Sequence, residues 1–383
     1  MTAAAGFEAA GVAVGLKSSG NRDVAVVVNR GPLKAGAAVF TSNRAKANPI
    51  LWSQQAIGDG VVEAVVLNSG GANCFTGGFG FQTTHQTAEK AAELLGVSAG
   101  DVIVCSTGLI GEGGEEFRAK VLDGVVQGVA ALSADGGVAA SEAIMTTDSK
   151  AKRAVAARDG WTIGGMAKGA GMLAPGLATM LVVITTDAVV DAAGLDTALR
   201  RATRLSFDRL DSDGCMSTND QVTLLASGAS GIAPDLDEFA MALTEVCGDL
   251  AQQLQADAEG ASHDIAIQVV HAASDDEAVE VGRSVARNNL FKAAIFGGDP
   301  NWGRVLAAIG TTGASFDPYD VDVSFNGVRV CTAGGPDRPR DEVDLTPRAT
   351  HILIDLKTGD AEATILTNDL THDYVHENSA YSS

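Results

Sequence analysis

The stretch Gly164 to Ala188 reads GGMAKGAGMLAPGLATMLVVITTDA and holds the residues best suited to covalent chemistry. Lys168, Gly169, Gly171, Pro175 and Gly176 make a turn-rich segment that runs straight into an apolar strand opening at Thr179. Glycine and proline set unusual backbone angles there, so a strained peptide meets a rigid support at the Ala178–Thr179 bond. Such a junction permits an N→O acyl shift. The Thr179 hydroxyl attacks the Ala178 carbonyl, and hydrolysis of the ester leaves Thr179 with a free α-amine. That amine, with a reference pKa of about 7.7–8.0, suits the task of general base for its own hydroxyl. On the residues alone, a threonine that opens a strand for its β propensity accounts for the same spacing.

Other chemistries find less support. Cys105 and Cys74 sit in or beside apolar strands with no histidine near in sequence, and read as buried structural thiols. His85, His263, His271, His351, His372 and His376 form no HExxH-like pattern, so no metal is expected. GEGGEE and GGMAKGAG fit neither GxxxxGK[ST] nor GxGxxG, and a nucleotide cradle is not expected. Asn301 and Arg304 in GDPNWGRV either buttress a site or form a structural turn. The five cysteines are odd in number and lack any CxxC, which points to a reducing, cytoplasmic compartment. With 27 basic against 48 acidic residues the net charge is −21, a field that repels phosphate backbones and anionic lipid. No apolar run approaches the roughly 20 residues of a membrane helix, and the N-terminus does not read as a signal peptide.

The elements that must position these residues are mixed. Strand-like runs are DVAVVVN (23–29), VVEAVVLN (61–68), DVIVC (101–105), TMLVVITT (179–186), DIAIQVV (264–270) and AEATILT (361–367). Helical periodicity places Ala88, Ala91, Ala92 and Leu95 on one face that ends at Gly96. Phe239, Leu243, Val246 and Leu250 share a second face, opened by Asp235 with Glu238, and Ser274 with Glu277 opens a third helix. The expected class is α/β (mixed α+β).

KGAGMLAPGLATML followed by TTDA resembles the autoproteolysis motif of the ornithine acetyltransferase family of arginine biosynthesis. FTSN (40–43), LNSGGAN (67–73), CSTGLIG (105–111), IMTTD (144–148), STND (217–220), QADAEG (255–260), GDPNWGRV (298–305) and the terminal ENSAYSS agree with it in order, so the resemblance covers nearly the whole chain. It implies cleavage between Ala178 and Thr179 into pieces 1–178 and 179–383, with Thr179 as nucleophile. Thr107 and Gly108 resemble the oxyanion-hole pair, where preorganised donors typically contribute about 2.7–4 kcal/mol each. Substrate contacts carry over to Thr146, Lys168, Thr179, Glu259, Asn378 and Ser383. Lys168 suits an α-carboxylate. Glu259 suits either the side-chain amine of ornithine or a catalytic proton. Asn378 and Ser383 require the tail, usually a frayed region, to fold back.

The implied activity is a glutamate N-acetyltransferase that passes acetyl from N-acetylornithine to glutamate by a ping-pong route. No cofactor is implied, and acetyl-CoA is an additional acetyl donor in some family members. The implied fold is a two-lobed α/β sandwich shared with self-cleaving aminopeptidases, with residues 1–200 as first lobe and 201–383 as second. Two α-like and two β-like pieces would assemble as a heterotetramer, with no nucleic-acid or membrane partner. One rival is an aminopeptidase or amidase on the same fold, and another a non-catalytic α/β binding protein.

Overall fold

The computed structural model describes residues 1–174 and 180–380, so Ala178, Thr179 and Ser383 lie outside the described residues. In chain order the first part carries β1 (Phe7–Val12), β2 (Val24–Asn29), β3 (Ala35–Phe40), α1 (Asn48–Ala56), β4 (Ala64–Ser69), α2 (Gly77–Leu95), β5 (Val102–Thr107), α3 (Glu115–Ala130) and α4 (Gly137–Ala143). There follow β6 (Lys152–Arg158), β7 (Trp161–Lys168), β8 (Leu181–Thr186), α5 (Ala192–Leu205), β9 (Gln221–Ala226) and α6 (Leu236–Ala256). The last part carries β10 (Asp264–Ala272), α7 (Asp275–Ala286), α8 (Asn289–Phe296), α9 (Trp302–Ile309), β11 (Asp322–Phe325), β12 (Val328–Thr332), β13 (Gly335–Pro336), β14 (Ala349–Asp355), β15 (Ala361–Asn368) and α10 (His372–Ala380).

Two units result. One spans Met1–Ala170, Gly176–Asp208 and Met216–Leu254; the other spans Gly171–Pro175, Arg209–Cys215 and Gln255–Ser383. A single boundary at residue 200 was expected, yet Met216–Leu254 stays with the first unit. The reason is β9, which is hydrogen-bonded between β3 and β8 and takes its following helix with it.

The first unit stacks two sheets, β1-β2-β4-β5 and β3-β9-β8-β7-β6. Side chains alternate along each strand. Ala25, Val27, Val65, Leu67, Ile103 and Cys105 face inward onto Met166, Leu181, Val183 and Leu225 of the other sheet. Val26, Val28, Val66, Val102 and Val104 face outward onto Ala88, Ala91 and Ala92 of α2 and Val125 of α3. Each buried valine or leucine contributes about 1.5–3 kcal/mol, so these two layers dominate the unit's stability. On the far side α6 lies close to β7: a Cβ on Gly165 would come within 3.0 Å of Leu250 and 3.3 Å of Val246. The layers therefore run helix, sheet, sheet, helix, the mixed α/β sandwich expected.

The second unit is a six-stranded sheet, β13-β12-β11-β14-β10-β15. Ile265, Ile267, Val269, Val323, Phe325, Ile352, Ile354 and Ile365 put one face of it against Val281 and Val285 of α7, Phe291 and Ile295 of α8, and Val305 and Ile309 of α9. Helix caps fall where the sequence placed them. Ser274 Oγ accepts the Glu277 N–H at 3.2 Å. Gly96, at φ +72°, closes α2.

Candidate active site

In the first unit β4 and β5 run parallel, and both end at the same edge. The chain after β4 turns back through Gly70 and Gly71, and the Thr107 carbonyl accepts the Gly71 N–H at 3.0 Å. Gly108 sits at φ +129°, and a Cβ there would lie 2.5 Å from the Gly71 nitrogen. Only glycine fits that turn. Asn219 clamps it, its amide donating to the Ala72 carbonyl at 2.7 Å and the Ser106 carbonyl at 2.9 Å. Ser106 Oγ in turn donates to Asn68 Oδ1 at 2.6 Å. Three of the sequence blocks, LNSGGAN, CSTGLIG and STND, thus meet in one hydrogen-bonded cluster.

β7 delivers Lys168, which is almost fully buried at 2% exposure. Its Nζ donates to Thr107 Oγ1 at 3.4 Å and lies 3.9 Å from Asp148 Oδ2. Asp148 is a hub. Its Oδ1 accepts from Lys152 Nζ at 2.7 Å and from the Gly169 N–H at 2.6 Å, and its Oδ2 accepts the Thr146 N–H at 3.0 Å. Burial opposes ionisation here, but the ammonium groups of Lys168 and Lys152 and the Gly169 N–H outweigh it and hold the carboxyl at about 2. Thr146 and Lys168 are thereby joined through one carboxylate.

Asp220, fully buried immediately before β9, accepts the N–H of Met180 at 3.2 Å through Oδ1. Burial pushes its carboxyl well above the ordinary range. Met180 directly follows Thr179, and its carbonyl accepts the Gln221 N–H at 3.1 Å, so both backbone groups of Met180 are held by residues 220 and 221.

In the second unit Glu259 Oε2 accepts from the Asn378 amide at 3.1 Å, so α10 does fold back onto the QADAEG segment. Gly260, at φ +60°, lets it approach: a Cβ there would lie 2.2 Å from the Tyr374 nitrogen. Beside this contact is a small cavity of about 60 Å³, lined in part by Glu259, Asp213, Lys292, Asn368, Asp369 and Tyr374. Burial lowers the Lys292 ammonium and raises the Asp213 carboxyl, and burial followed by the Asp213 charge raises the Tyr374 phenol. Gly171 passes close by, its missing Cβ 2.5 Å from Glu259 Oε2. Met172 donates its N–H to Asp213 Oδ2 at 2.7 Å.

Of the residues expected to carry the chemistry, the first unit brings together Thr107, Gly108, Thr146 and Lys168. The second brings together Glu259 and Asn378. Asp148, Lys152, Asp220, Asp213, Lys292 and Tyr374 were not singled out from the sequence. Asp148 and Asp220 could have been found, since they close the blocks IMTTD and STND. Cys105 is buried and its thiol is raised by burial alone, the state of a packing residue rather than a nucleophile. Asn301 caps α9, accepting the Arg304 N–H at 3.2 Å, and Arg304 donates to the Leu290 carbonyl, so GDPNWGRV makes a helix start. Among the described residues no cluster of His, Cys, Asp or Glu is placed to hold a metal ion, and no helix is long and apolar enough to cross a membrane.

Residues 8–383 match the model of the ArgJ family. The chain is 62% identical over 383 residues to the arginine biosynthesis bifunctional protein ArgJ of Streptomyces coelicolor, covering all of both chains. It is 55% identical over 395 residues to the protein of the same name from Bifidobacterium longum, again covering all of both. Among solved structures, ornithine acetyltransferase of Mycobacterium tuberculosis in complex with ornithine is 49% identical, over 47% of this chain and 95% of that one, with a TM-score of 0.44. A family model that spans nearly every residue and full-length relatives at such identity leave one conclusion: the chain belongs to the ArgJ family.

Proposed function

We propose that the chain cleaves itself between Ala178 and Thr179 and then uses Thr179 to move acetyl from N-acetylornithine to glutamate. It is an acyltransferase of arginine biosynthesis. The observation that carries the finer reading is the junction of the β5 turn with the end of β7, where Lys168 Nζ meets Thr107 Oγ1 beside a glycine that admits no side chain. In maturation the Thr179 Oγ adds to the Ala178 carbonyl, the C–N bond breaks to an ester, and water releases the carboxylate of residue 178. In turnover Oγ attacks the acetyl carbonyl of N-acetylornithine and the freed amine leaves with a proton. The amine of glutamate then takes the acetyl, and the hydroxyl is restored. The turn at Thr107 and Gly108 stabilises the oxyanion in each addition.

Lys168 pairs with the substrate α-carboxylate, Thr146 lies within reach of the same end, and Glu259 with Asn378 addresses the side-chain amine or a catalytic proton. Ser383 is assigned to the substrate on the resemblance alone. The relatives are named bifunctional, which supports acetyl-CoA as a second acetyl donor. The mature form is proposed as a cytoplasmic heterotetramer of two pieces of each kind.

Intact-mass analysis with N-terminal sequencing tests the core of this reading. Thr-Met-Leu-Val-Val is expected as a second N-terminus, and Thr179→Ala is expected to leave one uncut, inactive chain. Incubation with N-acetylornithine and glutamate is expected to yield N-acetylglutamate; free acetate in its place identifies the hydrolase instead.

A further inference from the structure

Lys168 does not stand on its own strand alone. Its ammonium shares Asp148 with Lys152, at the foot of the neighbouring antiparallel strand β6. The Lys152 and Asp148 side chains are wholly buried, and Asp148 binds the N–H of Gly169, the first residue after β7, and the N–H of Thr146 in the preceding loop. One carboxylate therefore ties three separate stretches of chain: the Thr146 loop, the start of β6 and the end of β7. A charge in a site so dry loses little to solvent screening, so its geometry is stiff and its removal is felt by every partner.

We infer that Asp148 is a positioning residue for substrate binding: it aims the Lys168 ammonium and the Thr146 loop at the α-carboxylate of the amino-acid substrate. This rests on the reading of Lys168 as the carboxylate's partner. Asp148 itself touches no reacting atom. Among the described residues, the titratable groups that act on this ensemble include Asp148, Lys152, Lys17 and Asp220. Lys17 Nζ donates to the Met145 carbonyl at 2.9 Å, while Asp220 lies immediately before the strand paired with β8. Lys152 and Lys17 are both cations, so loss of Asp148 removes an anion 3.9 Å from the Lys168 ammonium and shifts the local balance toward like charge.

The test is steady-state kinetics of Asp148→Asn, Asp148→Glu and Lys168→Met across pH, on the mature self-cleaved protein. For Asp148→Asn the KM for N-acetylornithine and for glutamate is expected to rise about tenfold or more, because both present an α-carboxylate, with a much smaller change in kcat. The alkaline limb of kcat/KM is expected to move down by about one pH unit or more, as Lys168 loses the carboxylate 3.9 Å from its ammonium. Asp148→Glu keeps the charge, and its alkaline limb is expected to stay within a few tenths of a unit of the wild type. It also serves as the measured variant should Asp148→Asn fail to mature. A lowered Tm with unchanged KM and an unmoved limb would make Asp148 a purely structural residue and overturn the inference. So would an Asp148→Glu limb displaced by a full unit. Lys168→Met separates the two layers: unaltered KM there sinks the Lys168 reading itself, whereas raised KM with an unaffected Asp148→Asn sinks only the positioning role.

Discussion

Gly108 has a positive φ of +129° and a backbone neighbour 2.5 Å from where a side chain would begin. An alanine there must push the Gly70–Gly71 turn away or twist the Thr107 peptide, and either motion misaims the donors of the turn. Gly108→Ala is expected to slow self-cleavage and acetyl transfer by about 10²-fold or more, the loss typical for one oxyanion donor. A time course on a denaturing gel after purification checks it; cleavage at the wild-type pace would show that this turn stabilises no oxyanion. At this scale the sequence was uneven. Thr107 and Gly108 were legible because a β-rich run stops at a glycine and the surrounding block resembles a known motif. Asp148 offered only its place at the close of IMTTD; its role shows once its own loop, the start of β6 and the end of β7 converge on it. Asp213 and Lys292 left no local trace at all, since they lie far apart in the chain and meet only through folding.

The strands found from composition, β2, β4, β5, β8, β10 and β15, are rich in β-branched residues. β3, with the sequence AGAAVF, was missed because alanine and glycine carry little β propensity; its pairing with β9 decides the matter. The β6–β7 hairpin was missed despite its Asp159-Gly160 turn between alternating residues, a signal that was available. The tail is the other lesson. α10 has no buried residue of its own and a weak apolar face, so nothing local predicted that it docks. What admits it is Gly260. Gly260→Ala is expected to displace α10 and part Asn378 from Glu259, at a cost of about 1–3 kcal/mol for overpacking. Hydrogen exchange should then quicken across residues 372–380 and kcat/KM should fall; a variant with native protection there would show that the docked helix tolerates a side chain.

For the molecule as a whole, the net charge of −21 sets up a field of one sign, and the fold class followed from the alternation of strand and helix signals. The division into units did not, because it depends on which strands pair. The sheet β3-β9-β8-β7-β6 has a property that bears on the proposed scission: β3, β6 and β7 precede residue 178, and β8 and β9 follow it. The later strands are threaded between the earlier ones, with six residue pairs along β3 and β9 and six along β7 and β8. The two pieces are therefore expected to co-purify under native conditions and to melt in a single transition by calorimetry; separate transitions, or piece 1–178 eluting alone, would contradict this.

A polypeptide woven in this way would, under the proposed scission, be severed without being taken apart. The proposed scission would leave the pairing of β3-β9-β8-β7-β6 as it was, so maturation can wait until folding is finished. The same weave means that neither piece can complete its sheet unaided, and a cell that made the two from separate messages would have to assemble strand by strand what a single translation product sets in place.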